Sequence, residues 1–206
     1  MSLGSVARQE RSLVCDLMEQ VGAGAPTLAE GWTVLDLAAH LVVREHDLWA
    51  APGLVLGGPF RRAIEAAMNR RRRRGLENLV ATIRRGPPGV ARLLPPGAHL
   101  SEYFIHHEDV RRANGLAPRR DRDLDEALAL LLRASAPMLL RRVGTGVDLV
   151  WNGGVLYRSG PEPRAVLDGP PGELLLYLSG RTRAAGVDLR GDPTAVWEVS
   201  TADLRL

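Results

Sequence analysis

The chain has no lysine: all 27 of its basic residues are arginine. With 24 acidic residues, the formal net charge is +3 and the isoelectric point is about 9.7. A basic balance of that size ordinarily points towards nucleic acid. Here the complete use of arginine, among many Ala, Gly and Leu, fits the codon bias of a GC-rich genome, and the polyanion reading loses weight. There is one cysteine, Cys15, which excludes an intramolecular disulfide and a cysteine-rich zinc cluster. Placed between Val14 and Leu17 on an expected helix, it reads as a buried and inert thiol. No apolar run is long enough to span a membrane. Arg8, Glu10, Arg11, Asp16 and Glu19 interrupt the start of the chain too often for a signal peptide. The expected compartment is the cytoplasm. Also missing are a Gly-rich phosphate loop, a Gly-x-Ser-x-Gly elbow and a His-Glu-x-x-His pair. The lone cysteine, far from the other reactive side chains, argues against a protein-thiol nucleophile.

What is present is an ordinary soluble composition, 45% hydrophobic and 25% charged over 206 residues, enough for one large domain or a medium and a small one. Apolar residues at helical spacing mark residues 6–21 as a first helix, ended by Gly22 and Gly24. Thr33 followed by Asp36 resembles a capping box for a second helix reaching about Trp49, with Leu37, Leu41 and Leu48 inward and His40 beside that stripe. Leu54 to Phe60 is Gly-rich and reads as a loop after a stop at Ala51-Pro52-Gly53. A third helix is expected over 60–84. Its run Arg70 to Arg74 circles the helix, so one arginine lies near the buried side or the chain bends at Gly75. A solvated face explains the run most simply, with an anionic partner as the alternative. Four prolines between Pro87 and Pro96 exclude continuous helix there. Further helices are expected over 100–114 and 123–143.

After Gly144 the texture changes. Asn152-Gly153 between two apolar runs predicts a hairpin, strands 147–151 and 155–158. A third strand is expected over 161–166, a short helix from Glu173, and later strands over 187–189 and 195–199. The fold class is mainly α: a helical-bundle domain over 1–145 and a small α+β domain over 146–206.

The chemistry concentrates in Leu100-Ser-Glu-Tyr-Phe-Ile-His-His-Glu-Asp-Val-Arg-Arg112. Glu102 and His106 are four apart and share a helix face. Together with His40 from the second helix they could hold one divalent cation, which suits zinc and leaves a fourth position open; nickel or ferrous iron could use the same set. A buried carboxylate between two neutral imidazoles is otherwise expensive. Two neighbours compete for the ligand role, His107 and Asp109, and Glu108 and Asp109 could instead orient a ligating histidine or pair with Arg111 and Arg112. The nucleophile would then be water, or a small-molecule thiol, at the metal.

The stretches Glu30-Gly-Trp-Thr-Val-Leu-Asp-Leu-Ala-Ala-His-Leu41, Glu102 to Val110, and Pro170-Pro-Gly-Glu-Leu-Leu-Leu-Tyr-Leu-Ser-Gly-Arg181 resemble the actinobacterial maleylpyruvate isomerase-like family of the DinB/YfiT-like metal-binding superfamily. The resemblance implies a DinB-like four-helix bundle with a small C-terminal domain of sterol-carrier-like type. It implies a divalent metal, usually zinc, on His40, Glu102 and His106, and mycothiol as thiol co-substrate in a cis–trans isomerisation. It also implies an arginine for the substrate carboxylate, for which Arg181 is the candidate; a helix C-terminal charge is the plainer reading of that residue. The expected function is therefore a metal-dependent, thiol-using isomerase or transferase. The alternatives are a non-catalytic metal or ligand binder, with Arg70 to Arg74 serving a partner, and a metal-activated hydrolase. Expected partners are a small-molecule thiol and its substrate, with a homodimer open and nucleic acid disfavoured.

Overall fold

The structure is a computed structural model that describes residues 1–47 and 61–204. The end of the second helix at Leu48 and Trp49, the stop at Ala51 and the loop to Phe60 lie outside the described residues. The described part is mainly helical with a small four-stranded sheet. It divides into two compact units, residues 7–118 and residues 1–6 with 119–206. The expected boundary near 145 falls inside the second of these, at the change from helix to strand. No described helix is long and apolar enough to cross a membrane.

The unit 7–118 holds helix α1 (Leu3–Val21) from residue 7 onward, then α2 (Val34–His46), α3 (Arg61–Arg72), α4 (Gly75–Arg85) and α5 (Pro96–Ala113), with a short 3-10 turn Gly89–Leu93 before α5. Thr33 caps α2 as expected: its backbone N–H donates to Asp36 Oδ2 at 2.8 Å, and the Asp36 N–H donates back to Thr33 Oγ1. The third helix expected over 60–84 is in fact two. The chain breaks between Arg72 and Gly75, where Gly75 takes φ +74°, a conformation that costs a side-chain-bearing residue and not glycine. Two arginines of the run then turn to α2: Arg71 makes a two-pronged pair with Asp47, at 3.0 and 2.8 Å, and Arg72 pairs with Asp36. Helix α5 begins earlier than expected, because Pro96 occupies its first turn, where the missing N–H has no intrahelical partner to lose.

One core joins α1, α2, α4 and α5 through Val14, Met18, Leu37, Leu41, Leu79, Ile83 and Tyr103. Cys15 lies in it, fully buried. Burial pushes the thiol up to about 12, against an ordinary value of 9.0. The folded state thus favours the protonated thiol, a stability contribution present below pH 9 and lost as pH rises towards 12. At pH 8, native protein should resist iodoacetamide while guanidinium-unfolded protein reacts fully; native labelling at the unfolded rate would contradict the burial.

In the second unit, α6 (Arg122–Leu139) ends sooner than the expected residue 143 and carries Pro137 in its last turn. Strands β1 (Val147–Trp151) and β2 (Gly154–Arg158) form the expected hairpin, with positive φ at both Asn152 and Gly153 as a type I′ turn demands. β3 (Ala165–Asp168) lies a few residues later than expected and runs parallel to β1; β4 (Asp188–Gly191) closes the sheet in the order β2-β1-β3-β4. α7 (Pro171–Leu178) is buried along its whole length and packs on α6. Its Glu173 is held by Arg120 at 2.7 Å and by the Gly186 N–H. The strand expected over 195–199 is a helix, α8 (Pro193–Thr201). Asp192 caps it by accepting from the Thr194 and Ala195 N–H groups, and Pro193 sits in the first turn.

Candidate metal centre

Helix α5 buries an unusual set of polar side chains: His99, His106, His107, Glu108 and Asp109 are all buried. Each has a separate occupation. Glu108 pairs with Arg112 at 2.7 Å and with Arg111 at 3.7 Å. His107 points to α1, where its Nδ1 meets Glu10 Oε2 at 2.8 Å in a fully buried pair. His106 faces α2. The two stripes that compete in the sequence are thus both buried, and they serve different neighbours.

His40, one turn into α2, is brought against Glu102 and His106. Its Nε2 lies 3.1 Å from Glu102 Oε1, and His106 Nε2 lies 3.3 Å from the same oxygen. The two imidazoles meet edge to face, with centroids 5.2 Å apart and planes at 74°. All three potential ligand atoms lie within 4.8 Å of one another. The side chains are 15%, 19% and 10% exposed for His40, Glu102 and His106, so the cluster is not sealed from solvent. Trp32 backs His40 at 5.1 Å between ring centroids. Neither His107 nor Asp109 belongs to this triangle.

The surroundings fix much of the chemistry. Asp109 Oδ2 lies 2.9 Å from His106 Nδ1, so Nδ1 carries a proton and Nε2 faces Glu102. Burial acts to lower the His106 value, but the hydrogen bonds to Asp109 and Glu102 outweigh it and push it up to about 9. Burial lowers His40, and the hydrogen bond to Glu102 offsets only part of that. For Glu102 burial works upward, yet the hydrogen bonds from His106 and His40, with Arg44 nearby, hold the carboxyl well below the usual range. In the metal-free protein the cluster is therefore a carboxylate bridged by one charged and one neutral imidazole. A cation would take the place of the His106 Nε2 proton.

The residues present fit a divalent cation. Two imidazole nitrogens and one carboxylate oxygen converge from two helices, and Asp109 supplies the carboxylate behind a ligating histidine that such centres commonly show. Among the described residues His40 Nδ1 is buried without a hydrogen-bond partner, so only Glu102 holds its tautomer, with the proton on Nε2, and a cation in that place would let the proton move to Nδ1. Sequence reasoning overlooked Arg44. It lies four residues after His40, on the same helix face, and that spacing was the available signal. Its Nε lies 3.2 Å from Glu102 Oε2 and its Nη2 donates to the Ala98 carbonyl of α5.

No family model matches the chain, and no curated protein does. Two solved structures do match over nearly the full length: the crystal structure of the mycothiol-dependent maleylpyruvate isomerase and that of a histidine-to-alanine mutant of it. Each is 19% identical to this chain, and each alignment covers 93% of this chain and 95% of the other. The TM-scores are 0.60 and, for the mutant, 0.62. The chain has the isomerase's fold. Arg181, singled out in the sequence, belongs to the unit 119–206, where it follows α7 and donates from Nη1 to the Ser179 carbonyl at 2.8 Å.

Proposed function

We propose that this protein is a metal-dependent enzyme of the DinB-like kind that uses a low-molecular-weight thiol, of mycothiol type, as an isomerase or thiol transferase on a small carboxylate-bearing substrate. The observation that carries the reading is the convergence of His40 Nε2, His106 Nε2 and Glu102 Oε1 in a chain with the isomerase's fold. Zinc suits the donor set best; nickel or ferrous iron could use it. When bound, the cation supplies the positive charge that keeps a thiol deprotonated near neutral pH. The chain's own groups do the rest. His106 gives up its Nε2 proton, Asp109 holds the Nδ1 proton and the ring's orientation, and Glu102 contributes the one negative charge in direct contact.

Arg181 is the proposed holder of the substrate carboxylate, supported by its place after α7 in the stretch that resembles the family. In the same reading α6 belongs with the helical domain, 1–145, and the sheet with a sterol-carrier-like domain, 146–206. A thiol co-substrate and a buried free cysteine both suit a reducing compartment, the cytoplasm.

The test is direct. Cobalt(II)-substituted protein should develop a sulfur-to-cobalt charge-transfer band on adding mycothiol, and metal-loaded protein should then isomerise maleylpyruvate or a related cis-enoic acid. No band at any thiol concentration would sink the thiol-dependent reading. Substrate cleavage without thiol would put metal-activated hydrolysis in its place.

A further inference from the structure

Glu102 is gripped from α2 by two side chains one turn apart, and each takes a different oxygen. His40 and His106 share Oε1, at 3.1 and 3.3 Å. Arg44 takes Oε2 at 3.2 Å, and its guanidinium is anchored a second time by the Ala98 carbonyl at 3.3 Å. A carboxylate can bind a cation through one oxygen or both. If both oxygens bound, the protein alone would supply four donor atoms and the fourth position of a tetrahedral centre would be filled. With Oε2 held by Arg44, only Oε1 is presented to the two imidazoles.

The charges point the same way. A divalent cation with Glu102 and Asp109 as carboxylates and neutral imidazoles sums to zero, a balance that favours a neutral ligand such as water. Arg44 adds one positive charge beside Glu102, its side chain only 21% exposed. The centre then carries a net single positive charge, which one anion neutralises.

We infer that Arg44 is a specificity-determining residue: it restrains Glu102 to one oxygen and reserves the open position for an anionic ligand, a thiolate in the proposed reaction. The inference rests on the metal-dependent reading above, and it concerns ligand choice, not whether a metal binds. Arg44 acts through Glu102 and through its charge; it is a positioning residue. Lysine at this position would keep the charge but lose the planar group that spans Oε2 and the Ala98 carbonyl.

The experiment uses full-length, cobalt(II)-loaded protein as wild type, Arg44→Met and Arg44→Lys, titrated with azide and separately with 2-mercaptoethanol, and followed by the visible absorption of the metal. Arg44→Met is expected to bind both anions at least about tenfold more weakly, the effect of removing a unit charge a few ångströms away. Its visible spectrum before any anion is added should already differ from wild type, because Oε2 is released to the metal. Arg44→Lys should recover most of the anion affinity but keep the altered spectrum. Far-ultraviolet circular dichroism checks that each variant is folded; should Arg44→Met not fold, the spectrum of Arg44→Lys still decides the restraint on Glu102. Wild-type anion affinity and spectrum in Arg44→Met would overturn the inference and leave the metal reading standing. Wild-type protein that takes up no metal would overturn that reading, and this inference with it.

Discussion

Alanine at His40 or at Glu102 is expected to strip the protein of metal while leaving its helices intact. Wild-type protein purified without chelators should carry one equivalent of a divalent metal, measured by elemental analysis, and each variant should carry less than about a tenth of it. The reason is geometric. Both imidazoles converge on Glu102 Oε1, and removing any corner leaves two donors, too few to hold zinc against dilution. His40 and Glu102 lie at the rim of the core, 15% and 19% exposed, so their loss leaves no large apolar cavity. Metal-free wild-type protein with unchanged variants would leave only a polar cluster.

The same site would bind a proton in competition with the proposed metal. His106 is raised to about 9 in the metal-free protein, above the ordinary 6.5. Its contribution to stability is therefore fully present below pH 6.5 and lost as pH rises through about 9. Metal uptake must displace that proton, so apparent metal affinity should climb by about tenfold per pH unit through the same window and then level. Competition titrations against a chelator at several pH values measure this. An affinity independent of pH would mean that His106 is not a ligand.

The second large effect is expected away from the metal. Glu45, in the last turn of α2, is buried and accepts hydrogen bonds from Arg11 of α1 at 3.2 Å and from the Tyr103 hydroxyl of α5; His99 Nδ1 lies 3.5 Å away. The Arg11 guanidinium also lies 4.8 Å above the Tyr103 ring. Glu45→Ala leaves a largely buried arginine and a buried phenol without their acceptor. Breaking such a pair from one side costs about 3 kcal/mol or more, read by urea denaturation. Metal content should stay at one equivalent, because Glu45 is outside the triangle. A loss below about 1 kcal/mol would show that Arg11 finds water instead.

The sequence carried the local signals well and the cross-helix partners poorly. Thr33 with Asp36, Gly75 after the arginine run, and Asn152-Gly153 each encode a backbone requirement within a few residues, so cap, break and hairpin could all be read. The meeting of His40, Glu102 and His106 was legible because one pair is four apart on a helix and the third lies beside an apolar stripe. The failures have equally local causes. Ala195 and Val199 are four apart, a spacing that fits one face of a strand as well as one face of a helix, and only the cap at Asp192 and Pro193 separates the two. Pro96 read as a helix breaker because its role in a first turn depends on where the helix begins. The Glu45, Arg11 and Tyr103 network joins three helices distant in sequence, and no periodicity announces it.

His40 and Glu102 are separated by 62 positions along the chain. A cation gripped by both would tie that stretch into a closed loop, as a cross-link does. Closing a loop of that length restricts the unfolded chain by about 4 kcal/mol in the entropy model used for disulfides. In a chain whose one cysteine cannot form an internal disulfide, the proposed metal centre would then also act as a staple. Removal of the cation by a chelator should accelerate unfolding as well as end the proposed thiol-dependent reaction.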